Sequence, residues 1–217
     1  MIVDFFKRIK EQIKKILGHN ICSYCKQNEE KTFFCHTCLS SFQLPVPLLL
    51  KKTKLIIYSL GRYDGFLRFV VNQKYCKNAL PYYALEDKII ELFKVYQLQD
   101  SFDIVLPVPK ACSSRLAHGF NPAEIIARMI SEQFSKEIFL SVYTKQYKTR
   151  QVGLTNEERS RNKKNIFFIS TSDSIILENK KILIVDDVYT TGATIEAMRD
   201  ALKKISSCSV MVFVLAR

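Results

Sequence analysis

The segment from Lys181 to Thr194, KILIVDDVYTTGAT, constrains the fold more than any other part of this 217-residue chain. Its four apolar residues at 182–185 predict a buried strand of a parallel sheet. Asp186 and Asp187 follow at the carboxyl end, where open α/β sheets bind their ligands. The next residues turn into a helix, whose first N–H groups and dipole favour a phosphate. An ordinary strand–turn–helix needs only one polar cap residue, so the segment predicts a site for a phosphorylated sugar.

Strand-like and helix-like patterns alternate from Lys54 onward, which predicts a mostly parallel sheet with helices on both faces. Short apolar runs predict strands at residues 55–60, 104–108, 166–169, 182–185 and 210–215. Helical spacing of apolar residues predicts helices at residues 84–96, 122–134 and 193–204. Residues 63–71 fit either the second strand of a hairpin or a helix. The expected fold class is therefore α/β, in a domain that spans residues 54–217.

Four cysteines, Cys22, Cys25, Cys35 and Cys38, form two C-x-x-C pairs with nine residues between them. Each pair places two thiolates on one tight turn, and two turns complete the tetrahedron of a structural zinc site. A redox motif needs only one pair and normally opens a helix, and buried thiols are the other alternative. His36 lies inside the second pair and is more typical of a residue outside the ligand set. We predict a zinc module over residues 19–45.

Residues 1–18 predict a basic amphipathic helix, with phenylalanines and isoleucines opposite lysines and an arginine. Such a helix either docks its apolar face on protein or lies on an anionic membrane, and both alternatives remain open. No apolar run is long enough to span a bilayer, and charges interrupt the N-terminus too often for a secretory signal. We expect a cytoplasmic protein with reduced thiols, with peripheral contact at the inner face of the cytoplasmic membrane as the alternative.

The segment at residues 182–194 resembles the fingerprint of type I phosphoribosyltransferases. The resemblance implies that Asp186 and Asp187 are catalytic carboxylates that contact the ribose hydroxyls. It implies that the following loop holds the 5′-phosphate of phosphoribosyl pyrophosphate, or of a related ribose phosphate, through Tyr189, Thr190, Thr191, Gly192, Ala193 and Thr194. Family chemistry displaces Mg²⁺-bound pyrophosphate from C1 through an oxocarbenium-like transition state, whose positive charge the two carboxylates favour.

Further segments resemble ComF-type competence proteins, a group within that fold. LPVPKACSSRLAHGFNPA at residues 106–123 is similar to their VPVP…R…GFNQA segment. Residues 151–167 are similar to Q-x-x-L-S-x-x-x-R-x-x-N-x-x-x-x-F, with threonine in place of serine, and residues 63–75 form a looser match. The predicted pyrophosphate ligands follow a strand end: Val108, Pro109, Lys110 and Arg115.

The chain departs from the ComF pattern at His118 and Pro122, where those proteins usually have arginine and glutamine. Histidine makes the positive charge at the first position pH-dependent, and proline removes a hydrogen-bond donor from the second. If these residues position a nucleobase or pyrophosphate, we expect catalysis to be weakened or altered. Whether the chain is an enzyme, a possible phosphoribosyltransferase, therefore remains open.

The net charge of +12 favours polyanionic partners, including nucleic acid and phosphorylated small molecules. Residues 145–164 hold seven basic side chains against two acidic ones. This loop either closes over pyrophosphate and magnesium, anchors nucleic acid, or is a solvated surface loop. The basic residues predicted to serve the loop and DNA are Arg159, Arg161, Lys163 and Lys164.

The ComF resemblance implies a factor for natural transformation and DNA uptake, which binds single-stranded DNA and other DNA-uptake proteins. A basic, aromatic-rich chain is compatible with that role, because single strands are held by phosphate contacts and base stacking. Two alternatives remain open. One is a nucleotide-salvage enzyme that joins a base to phosphoribosyl pyrophosphate with magnesium, and the other is a nucleotide-sensing adaptor.

Overall fold

The computed structural model describes residues 21–27, 33–41, 44–51, 53–110, 119–144, 167–204 and 207–217. The predicted helix over residues 1–18 lies outside these ranges, as do Arg115, Arg159, Arg161, Lys163 and Lys164. The strands are β1 Leu48–Leu50, β2 Leu55–Gly61, β3 Ile104–Pro107, β4 Glu137–Ile138, β5 Val142–Thr144, β6 Phe167–Ile169, β7 Lys181–Val188 and β8 Ser209–Ala216. The helices are α1 His36–Ser40, α2 Gly65–Asn72, α3 Leu80–Tyr83, α4 Glu86–Val95, α5 Pro122–Phe134, α6 Thr171–Leu177 and α7 Ala193–Lys203, with a 3-10 helix at Gln73–Cys76.

Within the described residues, six strands form one sheet in the order β1-β2-β8-β7-β3-β4. Every neighbouring pair is parallel except β1 and β2, which are antiparallel at one edge. β7 lies between β8 and β3, and its residues 182–185 are fully buried. That continuous apolar run is what a strand covered on both faces requires. The predicted mostly parallel α/β sheet is confirmed.

Helices cover both faces of the sheet, and the alternation of side chains along β7 divides the core in two. Leu183 and Val185 point into a cluster formed with α2, α3, α4, α5 and the cysteine module. Ile182 and Ile184 point into the opposite cluster, formed with α6, α7, β5 and β6. Among the described residues, no helix has both the length and the apolar character needed to cross a bilayer.

Two elements differ from the predictions made from the sequence, and one open alternative is resolved. β7 is longer than predicted and contains Asp186 and Asp187, because its pairing with β8 continues as far as Val188 opposite Ala216. Residues 63–71 contribute a helix, α2, and not the second strand of a hairpin. The strand predicted at 166–169 forms β6, which pairs with β5 in a separate antiparallel ribbon outside the main sheet.

Candidate functional site

The two adjacent carboxylates lie at the carboxyl end of β7, in the middle of the sheet. Asp187 is buried, with 7% of its surface exposed, and its backbone N–H donates to Asp186 Oδ1 at 2.8 Å. Burial and the neighbouring Asp187 raise the pKa of Asp186 well above its usual value. A pair of partly desolvated carboxylates attracts hydroxyl donors and positive charge, because either removes the repulsion between them.

The loop after β7 brings backbone N–H groups to the same edge of the sheet. Tyr189 N–H donates to the Ala216 carbonyl at 2.9 Å, which keeps the start of the loop aligned with β8. Gly192 has φ of 79° and immediately precedes α7. Gly192 has no side chain with which to cap the helix, and within its first turn Ala193 N–H donates to Thr191 Oγ1 in a long contact of 3.5 Å. N–H groups at such a helix start are suited to an anion. The loop thus leads from the acid pair directly into the start of α7.

Two lysines accompany the acid pair. Lys74, in the 3-10 helix, donates from Nζ to Asp187 Oδ2 at 2.6 Å. Burial opposes the charged form of Lys74, but the charge and hydrogen bond of Asp187, together with Tyr75 and Asp186, outweigh burial and raise the pKa of the lysine. Lys110 follows β3, and its buried Nζ has no hydrogen-bond acceptor among the described residues. Burial lowers the pKa of Lys110, and the charge of Lys74 adds to that shift, whereas the charges of Asp187 and Asp186 oppose it.

Asn121 fixes the backbone of the predicted pyrophosphate segment. Its side-chain amide donates to the Val108 carbonyl at 3.0 Å, while its Oδ1 accepts from Ala123 N–H and caps α5. Val108 N–H in turn donates to Val185 on β7 at 2.8 Å. Asn121 thus braces the segment that carries Lys110, a role that its place in the GFN motif did not specify.

Pro122 occupies the first turn of α5, where a missing N–H costs no helical hydrogen bond. The ring of Phe120 packs on Tyr82 with centroids 5.7 Å apart. The helix-start position of Pro122 and the ring contact of Phe120 give the GFNP segment a structural role within the described residues. His118, the other departure from the ComF pattern, lies outside them.

The four predicted cysteine ligands lie together, with all their sulfur atoms within 4.8 Å of one another. Cys22 Sγ is 3.8 Å from Cys38 Sγ, and Cys25 Sγ is 3.7 Å from Cys35 Sγ. Sulfurs about 2.3 Å from a tetrahedral metal are separated by about 3.8 Å, so the four can hold a metal ion. His36 is exposed outside this cluster.

Backbone donors prepare one of these sulfurs for ionisation. Burial opposes ionisation of Cys22, but hydrogen bonds from backbone N–H groups, Cys35 foremost, lower its pKa to about 6. Burial and the surrounding thiols raise the pKa of Cys38. A metal ion must therefore displace the proton of Cys38, which makes metal affinity fall at acid pH.

Aromatic contacts attach the cysteine module to the α/β domain. The ring of Phe34 meets Phe66 of α2 edge-on at 4.7 Å, and Tyr24 lies 5.3 Å from both Phe66 and Phe69. The module thereby covers α2, the helix that leads to the lysine at the acid pair. The sequence identified the module but not this connection.

Comparison with known proteins agrees with the geometry. The phosphoribosyl transferase domain family matches residues 81–217. The chain is 26% identical over 216 residues to competence protein ComFC of Bacillus subtilis, covering 96% of this chain and 82% of that protein. It is 27% identical over 116 residues to competence protein F of Haemophilus influenzae, covering 53% of this chain and 50% of that protein.

The family match includes the acid pair, the loop after β7 and the braced segment at Val108. It begins at residue 81, after the cysteine module and Lys74, and it ends at residue 217, one residue beyond β8. The similarity to ComFC extends across that N-terminal part as well. The chain therefore belongs to the phosphoribosyl transferase domain family and is a ComF-type member of it.

Proposed function

We propose that this chain is a competence-related protein that binds phosphoribosyl pyrophosphate, or a related ribose 5-phosphate, at the carboxyl end of β7. One observation carries the proposal: the strand presents Asp186 and Asp187 directly before the loop that begins α7. Carboxylates accept hydrogen bonds from ribose hydroxyls, and N–H groups at a helix start bind phosphate. The two halves of such a ligand thus find complementary groups a few residues apart.

The remaining groups of the site suit the pyrophosphate half of the ligand. Lys110 has a buried ammonium without a hydrogen-bond acceptor in the described part of the chain, and the charge of Lys74 acts on it. Magnesium bound with pyrophosphate would neutralise further negative charge. It would lie near the acid pair, because Mg²⁺ prefers oxygen ligands. If the chain is an enzyme, Asp186 and Asp187 would favour positive charge that develops on the ribose ring as pyrophosphate leaves.

We also propose that the ion of the cysteine module is zinc, in a structural role. Four thiolates leave no open coordination position, and a closed four-sulfur site is typical of structural zinc. The separations of the sulfurs, 3.7 and 3.8 Å, support tetrahedral coordination. Such an ion would hold Tyr24 and Phe34 against α2.

The ligand proposal is tested by thermal unfolding with magnesium and phosphoribosyl pyrophosphate. At a hundred times the Kd, a ligand selective for the native state stabilises it by about 2.7 kcal/mol, which for a chain of this size raises Tm by about 5–10 °C. Asp186→Asn with Asp187→Asn should abolish the shift and leave a folded protein. The matched control is Asp87→Asn with Asp100→Asn, which removes the same charge from exposed positions and should keep the shift. An equal shift in both double variants would place the ribose elsewhere.

Single-stranded DNA is the second partner that we propose. Three exposed tyrosines, Tyr24, Tyr63 and Tyr75, surround α2. Exposed basic side chains accompany them, at Lys26, Arg62, Arg68 and Lys77. Aromatic platforms beside basic groups are what sequence-tolerant binding of single strands requires.

A salvage enzyme and a nucleotide-sensing adaptor are the alternatives, and measurements of pyrophosphate release, ligand binding and DNA affinity separate them. Release of pyrophosphate on addition of a nucleobase, with phosphoribosyl pyrophosphate and magnesium present, would identify an enzyme. Binding of the ligand without pyrophosphate release, together with an altered affinity for DNA, would favour the competence factor. Ligand binding with no affinity for DNA at low salt would favour the adaptor.

A further inference from the structure

Lys74 reaches the acid pair from outside the matched family domain. The match begins at residue 81, whereas Lys74 belongs to the 3-10 helix Gln73–Cys76 that precedes it. Its Nζ nevertheless lies 2.6 Å from Asp187 Oδ2, and the two side chains are only 14% and 10% exposed. A largely buried ion pair across 113 residues of sequence joins the N-terminal part of the chain to the candidate ribose site.

Hydrogen bonds fix the backbone turn that carries Lys74. Backbone N–H groups of Lys77 and Asn78 donate to the carbonyls of Lys74 and Gln73, which closes the turn. Beneath it, the buried hydroxyl of Tyr82 donates to Val71 at the end of α2. The ammonium itself lies 5.5 Å from the ring centroid of Tyr75. The ammonium thus lies close to both the acid pair and the ring of Tyr75.

The charges around the acid pair are unsuited to a pyrophosphate unless lysines face it. Two adjacent carboxylates repel an anion, and a pyrophosphate carries several negative charges. Among the described residues, Lys74 and Lys110 are the lysines whose charges interact with the pair, and Lys74 contacts Asp187 directly. An ammonium has three donors, and Asp187 Oδ2 accepts one of those of Lys74. The same group can thus hold the carboxylate and an oxygen of the ligand together.

We propose that Lys74 is a ligand-binding residue that bridges Asp187 to the pyrophosphate group carried at C1 of the ribose. The inference rests on the ribose phosphate site proposed above and names the group that selects ligands within it. Lys74 favours ligands with a phosphate at C1 over ribose 5-phosphate alone. Without Lys74, the carboxylates repel a phosphate at C1. A ligand that has only a hydroxyl at C1 keeps its affinity.

Calorimetric titration of the purified full chain at fixed magnesium and ionic strength tests this selectivity. Loss of one charge-assisted hydrogen bond weakens binding by about tenfold to a hundredfold. Lys74→Gln should therefore raise the Kd of phosphoribosyl pyrophosphate by that factor. It should leave the Kd of ribose 5-phosphate unchanged or lower it. Lys74→Arg should retain most of the affinity. Lys94→Gln, which removes an exposed lysine of α4, should change the Kd of neither ligand.

A second comparison separates direct contact from support of Asp187, and it remains informative if Lys74→Gln unfolds the protein. Asp187→Asn is compared with Asp187→Asn/Lys74→Gln, in which no carboxylate is left unpaired at position 187. Further weakening of phosphoribosyl pyrophosphate in the double variant would support the bridge. Equal affinities in the two variants, or equal weakening of both ligands by Lys74→Gln alone, would overturn it. If the wild-type chain binds neither ligand, the proposed ribose site itself is wrong.

Discussion

Gly192 is the residue at which the backbone of the candidate phosphate loop is most tightly specified. Its φ of 79° lies in the left-handed region, which side chains with a Cβ rarely adopt. A Cβ at this position would lie 2.5 Å from the hydroxyl oxygen of Tyr189 and 2.9 Å from its Cζ. The ring of Tyr189 therefore fills the space above the glycine, and no atom can be added without moving the ring.

Gly192→Ala should destabilise the fold and distort the loop. The left-handed backbone costs about 1–2 kcal/mol and the collision with Tyr189 about 1–3 kcal/mol more. Urea denaturation measures the loss. Gly119→Ala is a matched control, because Gly119 has φ of 77° but no atom within 4 Å of the added Cβ. Equal losses in the two variants would show that Tyr189 moves aside freely.

At the scale of elements, the sequence predicted what local pattern determines. The apolar run of β7, the proline at the start of α5 and the two C-x-x-C pairs each identify themselves within a few residues. The ends of β7 were not predictable in this way, because its pairing with β8 extends through two acids that intrinsically disfavour strands. The contact between Lys74 and Asp187 depends on the packing of α2 and α3 against the sheet. A local sequence pattern therefore could not predict it.

The cysteine module should lose its structure as a unit when one ligand is removed. Binding of structural zinc contributes about 10 kcal/mol or more to small modules. Cys25→Ser should therefore abolish the bound metal, about one zinc per chain by elemental analysis, and expose residues 20–45 to hydrogen exchange. Cys76→Ser, at an exposed cysteine remote from the cluster, should change neither. Freshly purified wild-type protein without metal would contradict the zinc assignment.

At the scale of the whole molecule, the net charge of +12 predicts DNA binding that depends steeply on salt. Each neutralised phosphate of a single strand contributes about 0.7 to the slope of log affinity against log salt. Reversal of Arg159, Arg161, Lys163 and Lys164 to glutamate should weaken binding and flatten the slope. Fluorescence anisotropy with labelled single strands of several sequences measures both, and sequence should matter little because no base-reading motif is visible.

Competition with phosphoribosyl pyrophosphate locates the DNA surface. If the basic loop at 145–164 serves both ligands, each should displace the other. Independent binding would favour the surface of α2, where Tyr63 and Arg62 are exposed. Reversal of Lys88 and Lys94 on α4, which changes the charge by half as much, provides a control outside both segments. No binding at low salt would exclude direct handling of DNA.

The position of β8 has a consequence for how the chain is made. This strand, nearest the C-terminus, lies in the middle of the sheet and pairs with both β2 and β7. During synthesis β2 emerges early, with Leu60 and Ile57 destined for opposite faces of the core. It lacks this neighbour until β8, which follows the other strands of the sheet in sequence, has been translated. Such non-local pairing slows folding and leaves apolar strand edges open meanwhile. The nascent chain should therefore depend on chaperones until β8 leaves the ribosome and joins the two halves of the sheet.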